Sequence, residues 1–377
     1  MIELPKAEAC CGCGACADAC PAGCIRMLPD AEGFPRPAVN GEACLGCGGC
    51  SAVCPVLNAP ERHEAIASYA VRNADERELM LSSSGGAFAL IARETLKAGG
   101  VVCGAAFDGG LGVYHRFIES EEELPLLMGS KYVQSVTSGV YKRTREYLEK
   151  GRRVLFCGTP CQTAALYRFL GGAREGLTVC DIICHGVPSP LHWRKYLEQV
   201  SKTSGRPVSA NFRDKATGWR HFSVTVKTEE GGRISAPVGD HPHTRPFLRN
   251  VILRPSCYDC AFRGTARSAD ITLADLWGAE KILSKKDDDK GLSLVMTHTK
   301  RGEEIMASLS GAQTQRIDTN AALEYNTPAL RSPAKPPCRE AYMAELNGGD
   351  IMKLNKKYCA DSASVKLKRA VKRLIGR

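Results

Sequence analysis

The sequence has no long hydrophobic run: no stretch of its 377 residues comes near the roughly 18 consecutive apolar positions that mark a membrane-spanning helix. The opening MIELPKAEACC has no apolar h-region, so no secretory-signal pattern is present. The nineteen cysteines are therefore not expected to form an extracellular disulfide framework. A reducing cytoplasm is the expected home. A nucleic-acid signature is also missing. The formal net charge of +10 gathers late in the chain and suits an acidic partner or an anionic surface. Regular periodicity is scarce from Gly311 to Leu346.

What is present is cysteine in ordered runs. Cys10, Cys13, Cys16 and Cys20 stand in the spacing C-x2-C-x2-C-x3-C, with Pro21 next; Cys44, Cys47, Cys50 and Cys54 repeat it, with Pro55 next. This is the run of bacterial two-cluster ferredoxins, in which the fourth cysteine crosses to the other cluster. One 4Fe–4S cluster is assigned to Cys10, Cys13, Cys16 and Cys54, the other to Cys44, Cys47, Cys50 and Cys20. The small residues between them let backbone N–H groups approach the sulfurs. A zinc site or disulfides are the competing readings, and two complete copies with the terminal proline favour clusters.

The length suits two or three domains. Residues 1–57 read as the ferredoxin module, its two halves joined by the Pro/Gly-rich stretch Leu28–Val39, and a polar linker covers 58–64. Residues 65–150 and 151–310 read as two parts of a larger domain in which apolar strand-like runs alternate with helical segments. The expected strands are Ile66–Val71, Val101–Phe107, Val113–Ile118, Val154–Cys157, Leu177–Ile183, Val208–Phe212, Phe222–Val226, Asp270–Ala274 and Leu292–Thr297. The expected helices are Ala87–Lys97, Glu121–Met128, Gly139–Lys150, Cys161–Leu170 and Leu191–Thr203. Such alternation predicts an α/β or α+β fold, with a small two-cluster ferredoxin domain before a larger mixed domain. Residues 353–377 form a basic tail. Within it Leu367, Ala370, Val371, Leu374 and Ile375 fall on one helical face, a pattern for peripheral membrane contact, an acidic partner, or packing on its own domain.

Within the large domain, Ser82–Gly86 precedes an apolar-periodic helix, where a serine N-cap and glycines suit either a plain cap or a phosphate site. Lys131 lies in the short loop GSKYVQS. Thr159 is an expected N-cap and Pro160 an expected first helical residue. That places Cys161 in the first helical turn, where the helix dipole favours a thiolate. Cys184 follows another apolar strand, and Cys257 and Cys260 form a C-x2-C pair after Pro255. Ligands collect beyond the carboxyl ends of strands in open α/β sheets. Spacing leaves three readings open for these four cysteines: a third 4Fe–4S cluster, a zinc site, or buried cysteines with a redox pair. Cys157 is the substitute ligand to consider.

Together the segments SSSGGAF, GSKYVQS, GTPCQ, CHGVPSP, FRDK, RPSCYDC, SADITLADLWG and DDKGLSLV resemble the beta-subunit family of coenzyme F420-reducing hydrogenases and dehydrogenases over roughly residues 65–300. The resemblance implies FAD with a 4Fe–4S cluster beside it, held by Cys161, Cys184, Cys257 and Cys260 rather than Cys157. It also makes Ser83, Ser84, Gly85, Gly86 and Lys131 candidate flavin-site residues, together with Thr159, Gln162, Asp275 and Trp277. The implied function is an iron–sulfur flavoprotein oxidoreductase acting on F420 or another organic substrate, with a ferredoxin-type or oxidoreductase protein partner. The alternative is an electron-transfer subunit, inactive alone, that docks on a separate catalytic protein. No catalytic histidine is nominated; His185 adjoins Cys184 and is given a supporting or structural role.

Overall fold

The computed structural model describes residues 3–284 and 287–361. The amphipathic pattern of the basic tail lies outside the described residues. Two short strands, β1 (Ile25–Pro29) and β2 (Pro35–Val39), form an antiparallel hairpin beside the small cysteine-bearing helices Ala15–Asp18 and Gly49–Ala52. Much of this hairpin falls in the stretch expected to be a connector. Pro29, Pro35 and Pro37 look unlike a strand, yet a hairpin with no further neighbours tolerates proline because both its strands are edges.

The larger part is built on an eight-stranded sheet. Its strands are β3 (Ala67–Asn73), β4 (Val101–Phe107), β5 (Val113–Ile118), β6 (Val154–Cys157) and β7 (Leu177–Ile182), a first group in chain order. A separate antiparallel sheet of β8 (Pro207–Asp214), β9 (Ser223–Thr228) and β10 (Arg233–Pro237) follows. Then come β11 (Ile271–Asp275), β12 (Ser293–Thr297) and β13 (Ala312–Ile317), which complete the large sheet in the order β13-β3-β12-β11-β7-β6-β4-β5. Its centre is parallel, β4 to β6 to β7 to β11, and antiparallel strands close both flanks. The central strands are buried on both faces, as parallel strands require. This is the mixed α/β architecture expected behind a ferredoxin-like domain.

Helices Ala87–Lys97, Val140–Glu149, Pro160–Leu170 and Pro190–Ser204 fall within a residue of their expected limits. The segment 121–128 is a 3-10 turn followed by Leu124–Leu127, because Pro125 interrupts the pattern. Where little regular signal was expected, β13, Thr319–Glu324 and Arg339–Leu346 form regular elements, and Ile351–Tyr358 follows. β13 is an edge strand of polar, exposed residues, so apolar alternation does not reveal it. Among the described residues no helix is long and apolar enough to cross a membrane.

The ferredoxin module is pressed into the large domain. The Asp18 carboxylate accepts from the Gly139 and Tyr141 amides, at 2.7 and 3.1 Å, and so caps a helix of the other domain. Thr137 and Tyr141 donate to the Cys13 carbonyl, Gln134 to that of Cys11. Arg339 holds Glu32 bidentately. Cys11, Cys13 and Ala15 share one apolar cluster with Val140, Tyr141, Phe156 and Ala164.

Candidate iron–sulfur and flavin sites

In each cysteine run a glycine in the left-handed conformation, Gly14 (φ 79°) or Gly48 (φ 71°), starts a one-turn helix that carries the third cysteine. The folding brings cysteines of the two runs together crosswise. Cys16, its thiol pushed up to about 12 by burial, feels the charges of Cys10, Cys54 and Cys50. Cys54 in turn feels Cys10. Cys20 from the first run lines a pocket with Cys44, Cys47 and Cys50 from the second. Cys24 lines it too, its sulfur 3.3 Å from that of Cys20. The Gly46 amide points to the Cys44 sulfur at 3.4 Å. Of these cysteines Cys47 alone is exposed, next to Leu45, which is 72% exposed.

The second constellation lies in a cavity of about 70 Å³ against the ferredoxin module. β6 ends at Cys157, and the Gly158 turn leads into helix Pro160–Leu170. There Thr159 and Gln162 form a reciprocal capping box, a local pattern that satisfies the first free amides. This seats Cys161 in the first turn. β7 ends just before Cys184, and a 3-10 turn over Pro255–Cys257 carries Cys257 towards Cys260. Cys161, Cys184, Cys257 and Cys260 all line the cavity and lie within electrostatic reach of one another. Cys157 is not among its lining residues.

Cys161 departs from its expected chemistry. A hydrogen bond from Cys11, then burial, raises its thiol well above the ordinary value. These outweigh a helix terminus, which is worth only about 1 kcal/mol. Burial likewise pushes Cys184 up to about 12 and raises Cys257 and Cys260. Thiols so placed become thiolates when a cationic centre compensates them. Arg254, Arg263 and Arg267 also line the cavity, positive charge that suits a tetrathiolate cluster. Among the described residues no three His, Cys, Asp or Glu side chains converge on one metal ion. The donor set thus fits a cube that holds its thiolates at separate corners.

The candidate flavin residues fall in two places. Ser83 accepts from the Ser130 amide and hydroxyl, at 2.6 and 2.8 Å, tying its turn to the loop of Lys131. Ser84 donates to the Leu292 carbonyl, and the Gly85 amide to Ser293. No serine side chain caps the next helix: Gly86, with φ 84°, is its N-cap. Gly85 is required by packing, since a Cβ there would meet the Val71 carbonyl at 2.2 Å. Lys131 donates to the Leu126 and Met128 carbonyls, and burial pulls it down to about 7. Lys215 of the FRDK segment, which sequence reasoning missed, fastens the turn by donating to the carbonyls of Leu79, Ser84 and Lys290.

Asp275 is held by Arg213 through two 2.8 Å bonds and accepts from the Trp219 indole. Its oxygens are engaged by protein, so it acts as an anchor. Trp277 stacks on Trp219 at 4.8 Å, nearly parallel, and Arg213 bridges to the Tyr132 hydroxyl beside Lys131. Thr159 and Gln162 lie instead at the cysteine cavity, where the Thr159 hydroxyl is 3.1 Å from the Cys161 sulfur. The His185 ring meets Asn250 at 2.7 Å, consistent with support rather than chemistry.

Residues 151–322 match the family of the C-terminal region of the coenzyme F420 hydrogenase/dehydrogenase beta subunit, and residues 9–58 match a 4Fe–4S dicluster domain. The chain belongs to that beta-subunit family, behind a dicluster domain. A chain from the xenon-derivatised F420-reducing NiFe hydrogenase complex of Methanosarcina barkeri is similar at 18% identity, with a TM-score of 0.47 over 72% of this chain and 97% of that one. No curated protein matches.

For this F420 hydrogenase/dehydrogenase beta-subunit relative, sequence reasoning missed two residues at the domain seam. Cys11 lines the cavity and contacts both Cys13 and Cys161. Arg254 is 1% exposed and reaches the Cys10 backbone. The signals were the doubled Cys10-Cys11 and the arginine just before Pro255, but both contacts cross the whole chain.

Proposed function

We propose that this protein is an iron–sulfur flavoprotein oxidoreductase. It would pass electrons between FAD, working on F420 or another organic substrate by hydride exchange, and three 4Fe–4S clusters. The observation that carries the reading is the contact Cys13–Cys11–Cys161, where a ferredoxin cysteine, a bridging thiol and a cavity cysteine adjoin. Cys10, Cys13, Cys16 and Cys54 would hold one ferredoxin cluster, Cys20, Cys44, Cys47 and Cys50 the other, and Cys161, Cys184, Cys257 and Cys260 the third. A bound flavin exchanges a hydride whereas a cluster exchanges single electrons, so together they join two-electron to one-electron chemistry.

The chain's own part is positioning. The Thr159–Gln162 box orients Cys161, the Asp18 and Arg339 contacts hold the module against the cavity, and Lys215 fixes the Ser83–Gly86 turn. Ser83, Ser84, Gly85, Gly86 and Lys131 would line the flavin on one side, and Trp277, anchored through Trp219 and Asp275, on the other. Support for the flavin comes from the family match and motif order. A second reading, an electron-transfer subunit docking on a separate protein, is favoured by the exposed Cys47 and Leu45 at the far pocket.

Anaerobic purification with assay of iron, acid-labile sulfide and released flavin tests the reading. About twelve irons and one FAD per chain are expected for three four-iron clusters. About eight irons without flavin would overturn it in favour of the subunit.

A further inference from the structure

The two cysteine runs share one spacing, but their surroundings differ in one charge. The pocket of Cys20, Cys44, Cys47 and Cys50 has only apolar, glycine and cysteine residues in its wall and opens at the exposed Cys47. The site of Cys10 is buried at the domain seam, and a buried guanidinium faces it. Arg254 donates from Nε to the Cys10 carbonyl at 2.7 Å. Its Nη2 reaches the Cys10 sulfur at 3.8 Å and the Pro35 carbonyl at 3.1 Å, and its Nη1 the Gln134 side chain at 2.9 Å. The Phe34 ring lies 5.4 Å from its central carbon. Gly12 leaves room for it: a Cβ there would stand 2.6 Å from Nη1.

None of the groups Arg254 bonds is a carboxylate. Burying a charge costs heavily unless it is paired, and the anionic groups that it meets are sulfurs: Cys10 by contact and Cys161 through its field. Each electron added to a thiolate-ligated cluster adds negative charge, and burial penalises that charge more than an open site does. A cation bonded to a ligand sulfur stabilises the reduced form.

We propose that Arg254 is a positioning residue that raises the reduction potential of the cluster held by Cys10, offsetting its burial so that it accepts an electron at the domain seam. The step moves one electron from a reduced donor centre in the large domain to the oxidised cluster. No bond is made or broken and no proton moves. The proposal rests on Cys10 being a cluster ligand and is independent of the flavin.

The test is redox titration of the anaerobic full-length protein, followed by electron paramagnetic resonance, with iron assayed in every sample. In Arg254→Met one cluster should become at least about tenfold harder to reduce, a fall of about 59 mV for one electron. The pocket cluster of Cys47 should not move, and Arg254→Lys, which keeps the charge, should restore most of the fall. Full iron in Arg254→Met with no cluster shifted would overturn the proposal, as would an equal fall in Arg254→Lys. If the Met variant loses iron, the Lys variant decides: full iron with the wild-type potential supports charge compensation. Loss of iron in both would make Arg254 a brace for the fold instead. Fewer than about eight irons in the wild type would remove the ligand assignment itself, whereas eight irons without flavin would leave this proposal standing.

Discussion

At the scale of single residues, the cavity at the seam offers five sulfurs to a centre that uses four. Cys11 differs from the others in where it comes from: it belongs to the ferredoxin module and also contacts Cys13. If the large domain supplies the whole ligand set, Cys161→Ser lowers iron by about four atoms per chain and leaves the ferredoxin clusters in place. Cys11→Ala, by contrast, keeps full iron. Iron and sulfide assays on the two purified variants check this. Loss of iron in Cys11→Ala with retention in Cys161→Ser would make Cys11 the fourth ligand and reverse the assignment.

At the scale of elements, the sequence was most legible where the signal is local. The Thr159–Gln162 box, the Ser189 cap and the central strands all rest on neighbours a few residues apart. β13 was hidden because Gln313, Gln315 and Arg316 sit on an exposed edge, and the β1–β2 hairpin was hidden by its prolines. The crossed cysteine sets were legible from spacing, while Arg254 and Cys11 were not, since nothing near them in the chain reports a partner across the seam. The Ser82–Gly86 turn shows how a local motif misleads. Its glycine reads as ligand access but serves a packing contact between the turn, the end of β3 and the start of β12. Gly85→Ala drives a methyl into backbone on both strands and should cost about 1–3 kcal/mol or more. The expected result in a urea titration is a lower midpoint with unchanged slope. An unchanged midpoint would mean that the turn moves aside freely.

At the scale of the molecule, stability should depend on pH through buried histidines. His115, His243 and His298 are pulled down to about 4 and His241 to about 3, burial being the first cause in each. Their rings are committed to fixed partners: His115 meets Ser135 and the Cys157 carbonyl, and His298 meets Thr272 and the His63 carbonyl. His241 meets Tyr196, and His243 meets His192 and the Tyr132 carbonyl. With folded values below the unfolded value of about 6.5, the unfolded chain takes up protons first as pH falls. Their contribution is therefore complete above about pH 6.5 and is lost as pH falls from there towards 4. At one unit below 6.5 each group costs about 1.4 kcal/mol, so four together remove about 5 kcal/mol, comparable with the lower end of a domain's whole stability of about 5–15 kcal/mol. Asp181, raised to about 6 by burial, acts in the opposite sense, but as one group against four. Urea midpoints of the anaerobic protein at pH 7.5, 6.5 and 5.5 should fall steadily, with cluster absorbance confirming that iron is retained before denaturant is added. A midpoint that holds or rises at pH 5.5 with iron retained would mean that these rings charge without unfolding, and that the hydrogen-bonded network around them opens to water in the native protein.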